Sequence, residues 1–326
     1  MIVSLIDMDY EYRVRVLRTP PRHRFPNLAL MKLSAWHKAH GDTVDWYPPF
    51  MSSPDRIYAS KVFTFSHDCV DFSAGDPEPV YGGTGYRLYD DLPSEVDSCL
   101  PDYTIYPGVD YAIGFLSRGC VRRCPWCVVP KKEGNIRRYD DIERISQGRR
   151  SVVLMDNNFL ANDPDFVRDQ LEKSVRLKLR IDFNQGLDAR LVDEINAKWL
   201  AACNWRAATG NNAYIRFSCD TQSMIPHVQS AISFLRAAGY NGHIFVYFLA
   251  QDVDETADRI QRILSFDEKT NPFVMPYRNL DGDGEIADKR LCDLARWCNI
   301  TSVRKSCSFQ EYKNAKQHRI TVSYGS

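Results

Sequence analysis

Three cysteines, Cys120, Cys124 and Cys127, fall within eight residues in the run "RGCVRRCPWC", at Cys-x3-Cys-x2-Cys spacing. Thiols grouped this tightly suit metal binding, because a thiolate is the ligating form of cysteine. Three is one short of a closed structural zinc site, which takes four ligands. Three thiolates can instead hold three irons of a 4Fe-4S cluster, whose usual complement is four cysteines, leaving the fourth iron open to something other than protein. On the residues alone two readings stand. One is such an open cluster. The other is a non-catalytic zinc or iron–sulfur module for structure or nucleic-acid contact, with a distant His67 or His227 brought in by folding. Arg118, Arg122 and Arg123 are expected to help hold the thiols deprotonated.

The run resembles the cluster motif of the radical S-adenosylmethionine (radical SAM) superfamily, Cys-x3-Cys-x-aromatic-Cys, with Trp126 in the aromatic place. The likeness covers roughly residues 110–280. In that family the open iron is chelated by the amino and carboxylate groups of S-adenosylmethionine. An electron from the reduced cluster breaks the sulfonium bond and yields a 5′-deoxyadenosyl radical, which takes hydrogen from a substrate. The resemblance therefore implies a radical SAM enzyme with a 4Fe-4S cluster and S-adenosylmethionine as cofactors, and an external electron donor of flavodoxin or ferredoxin type. The protein's share of such chemistry is binding, orientation and exclusion of water.

The same resemblance suggests what the other strand ends do. In "MDNNF", Asp156, Asn157 and Asn158 offer oxygen acceptors for the methionine amino group, although the glycines usual there are absent; the other reading is a turn that caps the next helix. In "FNQGLDARLVDE", Arg190 is the candidate for the cosubstrate carboxylate, a bidentate match. Gln185 and Asp188 would face cosubstrate or substrate, or Asp188 and Arg190 would pair on the following helix. Ser218 and Asp220 in "FSCDTQ" suit ribose hydroxyls. Met275 and Tyr277 in "PFVMPYRN" suit an adenine wall or plain core. The basic run with Lys131, Lys132, Arg137 and Arg138 would meet a phosphate-bearing substrate, or be a solvated loop. A nucleoside, nucleotide or modified nucleobase is the substrate class this favours.

These residues must be positioned by regular elements. Strand signals recur in "YAIGFLS", "RSVVLMDNNFL", "RLKLRIDFNQG", "YIRFSCDTQ", "GHIFVYFLAQ" and "PFVMPYRN", alternating with helical stripes such as "IPHVQSAISFLRAAG" and "ETADRIQRILSF". Six such units with polar strand ends predict an α/β protein whose main domain is a partial (β/α)6 barrel of the TIM type, with its chemistry at the carboxyl ends of the strands. Ahead of it, "IVSLIDM", "PNLALMKLSAWHKAHG", "TVDWY", "RIYASKVFTF" and "PVYGGTGY" predict a small Rossmann-like α/β domain. The stretch 90–110, with Pro93, Pro101 and Pro107, reads as a linker over the surface. The expected divisions are 1–105, 106–284 and 285–326, the last a C-terminal helix and extended cap.

The small domain resembles the cobalamin-binding domain of many radical SAM enzymes, but "DMDYEY" lacks the cobalt-ligating histidine, so cobalamin is left open and the domain is expected to shape the substrate pocket. Gly82, Gly83 and Gly85 match neither dinucleotide nor P-loop patterns and read as a tight turn. Cys292, Cys298 and Cys307 are expected to be buried thiols, since a spacing of six separates two of them around a helix. The 326 residues are 44% hydrophobic and 26% charged with a formal charge of zero, which excludes a strong global pull toward nucleic acid or membranes. The start "MIVSLIDMDY" reads as a first strand rather than an export signal or span, and the expectation is a cytoplasmic protein.

Overall fold

The computed structural model describes residues 1–19, 25–48, 53–207, 214–279, 285–286 and 288–315. The chain is an α/β protein of mostly parallel sheets and divides into two compact units, 1–114 with 145–149, and 115–144 with 150–326. The expected boundary at residue 284 lies outside the described residues.

In the first unit, β1 (Ile2–Asp7) is apolar and buried, and leads to helix α1 (Leu28–Ala39). Asn27 caps that helix by accepting from the Leu30 amide at 3.2 Å. The strands β2 (Thr43–Trp46), β3 (Arg56–Ser60) and β4 (Val80–Gly82) pair in parallel in the order β2-β1-β3-β4. "RIYASKVFTF" is thus a strand only through Ser60. Gly83 takes φ of +87°, the left-handed turn its residue type allows, and a Cβ there would stand 2.9 Å from Ser60 Oγ. The proline-bearing stretch is fastened rather than draped. Tyr103, Ile105 and Tyr106 are buried. Lys32 pairs with Asp97, and Ser34 and Lys38 both reach Asp102 at 2.7 Å. The first stretch of the unit ends with β5 (Ala112–Gly114).

In the second unit, β6 (Ser117–Arg118) and β7 (Arg137–Arg138) form a short antiparallel ribbon. There follow β8 (Ser151–Leu154), α2 (Pro164–Arg176), β9 (Arg180–Phe183), α3 (Glu194–Ala202), β10 (Asn204–Trp205) and β11 (Tyr214–Ser218). Helix α4 (Ile225–Ala237), β12 (His243–Ala250), α5 (Val253–Phe266) and β13 (Thr270–Pro276) complete the alternation. Strands β8 and β10 flank β9, and β11, β12 and β13 form a second parallel set. The two sets are joined where Leu187 bridges Phe217, its amide donating to the Arg216 carbonyl at 2.7 Å. Along β12, Ile244, Val246, Phe248 and Ala250 are fully buried, while Phe245 and Tyr247 alternate with them on a partly open face.

Helix α6 (Arg290–Asn299) is followed by a second helix, Thr301–Ser306, and helical residues 309–315, so the tail is more helical than the expected single helix and cap. Cys298 is buried, Cys307 half-buried and Cys292 exposed, the last against expectation.

Candidate functional site

The cysteines lie on the loop that the β6–β7 ribbon closes. Arg118 grips Glu133 with two hydrogen bonds of 2.8 and 2.6 Å across the loop base, and its guanidinium lies 4.4 Å from the Phe115 ring centre. That cation therefore braces the loop. Gly119 has φ of +84°, and a Cβ there would overlap the Asn135 carbonyl, standing 2.6 Å from its carbon. Only glycine lets the two loop arms approach this closely. The Cys120 amide then donates to the Gly134 carbonyl, and the Cys127 amide to the Cys124 carbonyl at 3.0 Å.

The segment after β8 supports this loop from below. Asp156 is fully buried and accepts from the Leu116 amide at 3.0 Å, the Ser117 amide at 2.6 Å and Ser117 Oγ at 2.7 Å. Burial raises its carboxyl to about 6 against the pull of these donors. Asn157 Oδ1 accepts from the Gly119 amide at 3.0 Å. Asn158 is different. Its Nδ2 reaches Cys120 Sγ at 3.4 Å and Asp188 Oδ2 at 3.3 Å, while its buried Oδ1 has no partner. None of the three makes a side-chain cap on the next helix, α2, whose first turn is capped by Asp163.

Asp188, after β9, is the hub. It takes two hydrogen bonds from the Arg190 guanidinium, at 2.7 and 3.1 Å, one from the Arg190 amide at 3.2 Å, and one from Arg122 Nε at 3.0 Å. Burial opposes its charge, but the two guanidinium groups outweigh that and hold the carboxyl below the usual carboxylate range. Asp188 thus pairs with Arg190 as one reading anticipated, and also ties in the cysteine loop. Burial pushes the Cys124 and Cys127 thiols up; at Cys124 the nearby Arg190 charge opposes this, and at Cys127 a hydrogen bond from the Val129 backbone does. The Arg122 amide donates to Cys120 Sγ at 3.3 Å.

Asp220, after β11, interacts electrostatically with Arg190, Cys124 and Cys127 and hydrogen-bonds with Ser218. Burial raises its carboxyl, and the Leu249 amide donates to Oδ1 at 3.2 Å. Sequence reasoning missed what holds this corner. Arg259, a buried cation on α5, donates to the Cys219 carbonyl and, at 2.9 Å, to the Leu249 carbonyl, clamping the ends of β11 and β12. An arginine on a helix stripe carries no local sign of that role; Gly119 carries one, the Arg-Gly-Cys turn.

Of the anticipated residues, the structure joins the three cysteines, Asn158, Asp188, Arg190, Ser218 and Asp220 through these contacts. Gln185 is exposed on the turn after β9, Trp126 is half-buried, Met275 is exposed on β13, and Tyr277 continues that strand by donating its amide to the Ala250 carbonyl at 2.9 Å. None of the four shares a hydrogen bond with the cysteine group among the described residues. In the basic run, Arg137 donates to the Glu133 carbonyl and Arg138 pairs with Asp163. Among the described residues, no three His, Cys, Asp or Glu side chains converge closely enough to hold a single metal ion. Cysteines of a cubane cluster bind separate irons and need not converge on one point.

Beyond β1 and β3 in the first unit, short contacts order the chain. Asp9 is engaged by the Val62 amide at 2.6 Å, the Phe63 amide and Ser66 Oγ. The glycine turn packs on the Lys61 backbone, and Lys61 Nζ sits 4.1 Å over the Tyr86 ring. No helix among the described residues is long and apolar enough to cross a membrane. No protein-family model and no curated protein matches the chain.

Proposed function

We propose that this chain is a radical SAM enzyme whose second unit is a partial (β/α)6 barrel, with Cys120, Cys124 and Cys127 as ligands of a 4Fe-4S cluster. The observation that carries the reading is the Asn158 Oδ1: a buried acceptor without a donor, on a side chain whose other end touches Cys120 Sγ. An orphaned buried acceptor is costly, about 1–3 kcal/mol, unless a ligand completes it. The residues fit the group. Asn158 would accept from an N–H of the amino group of S-adenosylmethionine, Arg190 would offer the guanidinium edge not taken by Asp188 to its carboxylate, and Asp220 with Ser218 would receive the ribose hydroxyls. Asp156, Asn157 and Gly119 hold the loop that presents the thiols. When bound, the cluster supplies the single electron that cleaves the sulfonium bond. A flavodoxin- or ferredoxin-type protein would deliver that electron.

The test is anaerobic reconstitution with iron and sulfide, reduction by dithionite, addition of S-adenosylmethionine, and mass spectrometry for 5′-deoxyadenosine. The expected result is product from the native chain and none from Cys124→Ala, with nucleosides and nucleotides the first substrates to try. A protein that takes up colourless zinc, or an iron–sulfur cluster that never cleaves S-adenosylmethionine with any candidate, is instead a metal-binding module.

A further inference from the structure

The loop after β3 turns apolar side chains outward while its backbone is pinned. Asp9 accepts from the Val62 amide at 2.6 Å, the Phe63 amide at 3.3 Å and Ser66 Oγ at 2.6 Å. Thr84 Oγ1 donates to the Val62 carbonyl at 2.9 Å, and the buried Lys61 Nζ donates to the Ser66 carbonyl at 3.0 Å. Phe63 and Phe65 are nevertheless 51% and 49% exposed, with ring centres 5.0 Å apart and planes 18° from parallel. The helical residues Met8–Glu11 and Tyr12–Val16 lie beside this loop, since Asp9 meets its start and the Tyr12 ring meets His67 edge-on at 5.5 Å. Val16, Leu17 and Val62 are exposed as well. Apolar side chains gathered on a fixed, solvent-facing stretch mark an interaction site.

The same surface carries uncommitted positive charge. From Tyr12 to Asn27 the chain has five arginines and no acidic residue, in a protein whose total charge is zero. Arg13 and Arg18 are exposed and form no ion pair among the described residues, while Arg15 pairs with Glu11 at 2.6 Å. Two acidic groups nearby are already engaged, Asp9 by the amides above, and Asp68 by Lys61 at 3.1 Å and the Tyr86 hydroxyl at 2.6 Å. We propose that this surface of the first unit binds single-stranded nucleic acid, with bases stacking on Phe63 and Phe65 and phosphates meeting Arg13 and Arg18. Every base has a π face, so aromatic rings beside cations hold a single strand with little regard to its sequence. A duplex keeps its base faces inside its own stack and offers the rings nothing. A lipid surface needs apolar area but not parallel ring planes, and the planes are what this loop fixes. The inference concerns the first unit alone and stands whether or not the second unit holds a cluster.

The test uses the full chain and fluorescein-labelled oligothymidylate and oligouridylate of about twelve nucleotides, within the span of one such binding surface. Fluorescence anisotropy is followed from about 50 to 200 mM salt, the range over which phosphate contacts lose strength. Phe63→Leu and Phe65→Leu keep apolar area and remove the ring planes, Phe63→Trp restores a plane, and Arg13→Gln with Arg18→Gln removes two charges. Circular dichroism confirms that each variant is folded. The native chain should bind both strands and prefer them to the matching duplex. Each leucine variant should bind roughly 5–100-fold more weakly, the loss of one stacked base, and Phe63→Trp should bind as the native chain does. The double glutamine variant should flatten the salt slope by about 1.4, two phosphates at about 0.7 each. No binding by the native chain at the lowest salt overturns the proposal, as does equal affinity for duplex. Leucine variants with native affinity place any binding elsewhere and overturn it too. Two further results replace it: capture by phosphatidylglycerol vesicles that the leucine variants retain makes this a lipid surface, and a concentration-dependent dimer in sedimentation, lost in those variants, makes it a contact between copies of this chain.

Discussion

A carboxylate without solvent is tolerable as an anion only when donors surround it, and Asp156 has three, all on Leu116 and Ser117 at the entry to the cysteine loop. Its folded value of about 6 lies above the ordinary 3.8, so its contribution to stability is complete below 3.8 and is lost as pH rises through 6. That difference corresponds to roughly 3 kcal/mol. Denaturant titrations between pH 4 and 7 should show the native chain weakening over this window and Asp156→Asn weakening less. Gly119→Ala forces a side chain into left-handed backbone against the Asn135 carbonyl. The expected loss is about 1–3 kcal/mol, read by chemical denaturation, together with reduced iron uptake on reconstitution. Cys203, Cys219 and Cys298 are buried, with burial pushing their thiols to about 11, 12 and 12. Replacing any one with alanine should leave iron stoichiometry unchanged.

The elements act by fixing where strands end. Arg259 ties the β11 and β12 carbonyls that precede Asp220 and follow its amide donor, so Arg259→Met should leave two buried carbonyls without this donor. A loss of about 1–3 kcal/mol for each carbonyl is expected in chemical denaturation, the cost of an unsatisfied buried acceptor. Asn299 on the tail does similar work for β13. Its Oδ1 accepts from the Val274 amide at 2.7 Å and its Nδ2 donates to the Val274 carbonyl at 3.0 Å, as a neighbouring strand would. Asn299→Ala should cost about 1–3 kcal/mol and speed amide exchange at Val274. Much of the element order was readable beforehand, because apolar runs such as "IFVYFLA" and amphipathic stripes are local signals. Helix α2 was not singled out, although Asp163 followed by Pro164 is a helix start. The cysteine spacing is likewise local. Which of Asp156, Asn157 and Asn158 has a free oxygen is not, because the answer depends on amides some 40 residues upstream, Leu116 to Gly119. The same applies to Arg190, whose partner could have been cosubstrate or Asp188 on residue type alone.

For the whole molecule, 42 basic and 42 acidic residues cancel. Solubility at low salt should be poorest near neutral pH and recover on either side, which light scattering across a pH series can check. In a chain without net repulsion, exposed backbone matters more. Strand β13 lies at the end of its parallel set, and an uncovered strand edge is a template for pairing with other chains. Asn299 masks that edge at Val274 with a side chain in place of a strand. A chain shortened to end before Asn299 is therefore expected to present this edge to its neighbours and to associate more readily than the full chain, which sedimentation at several concentrations can check.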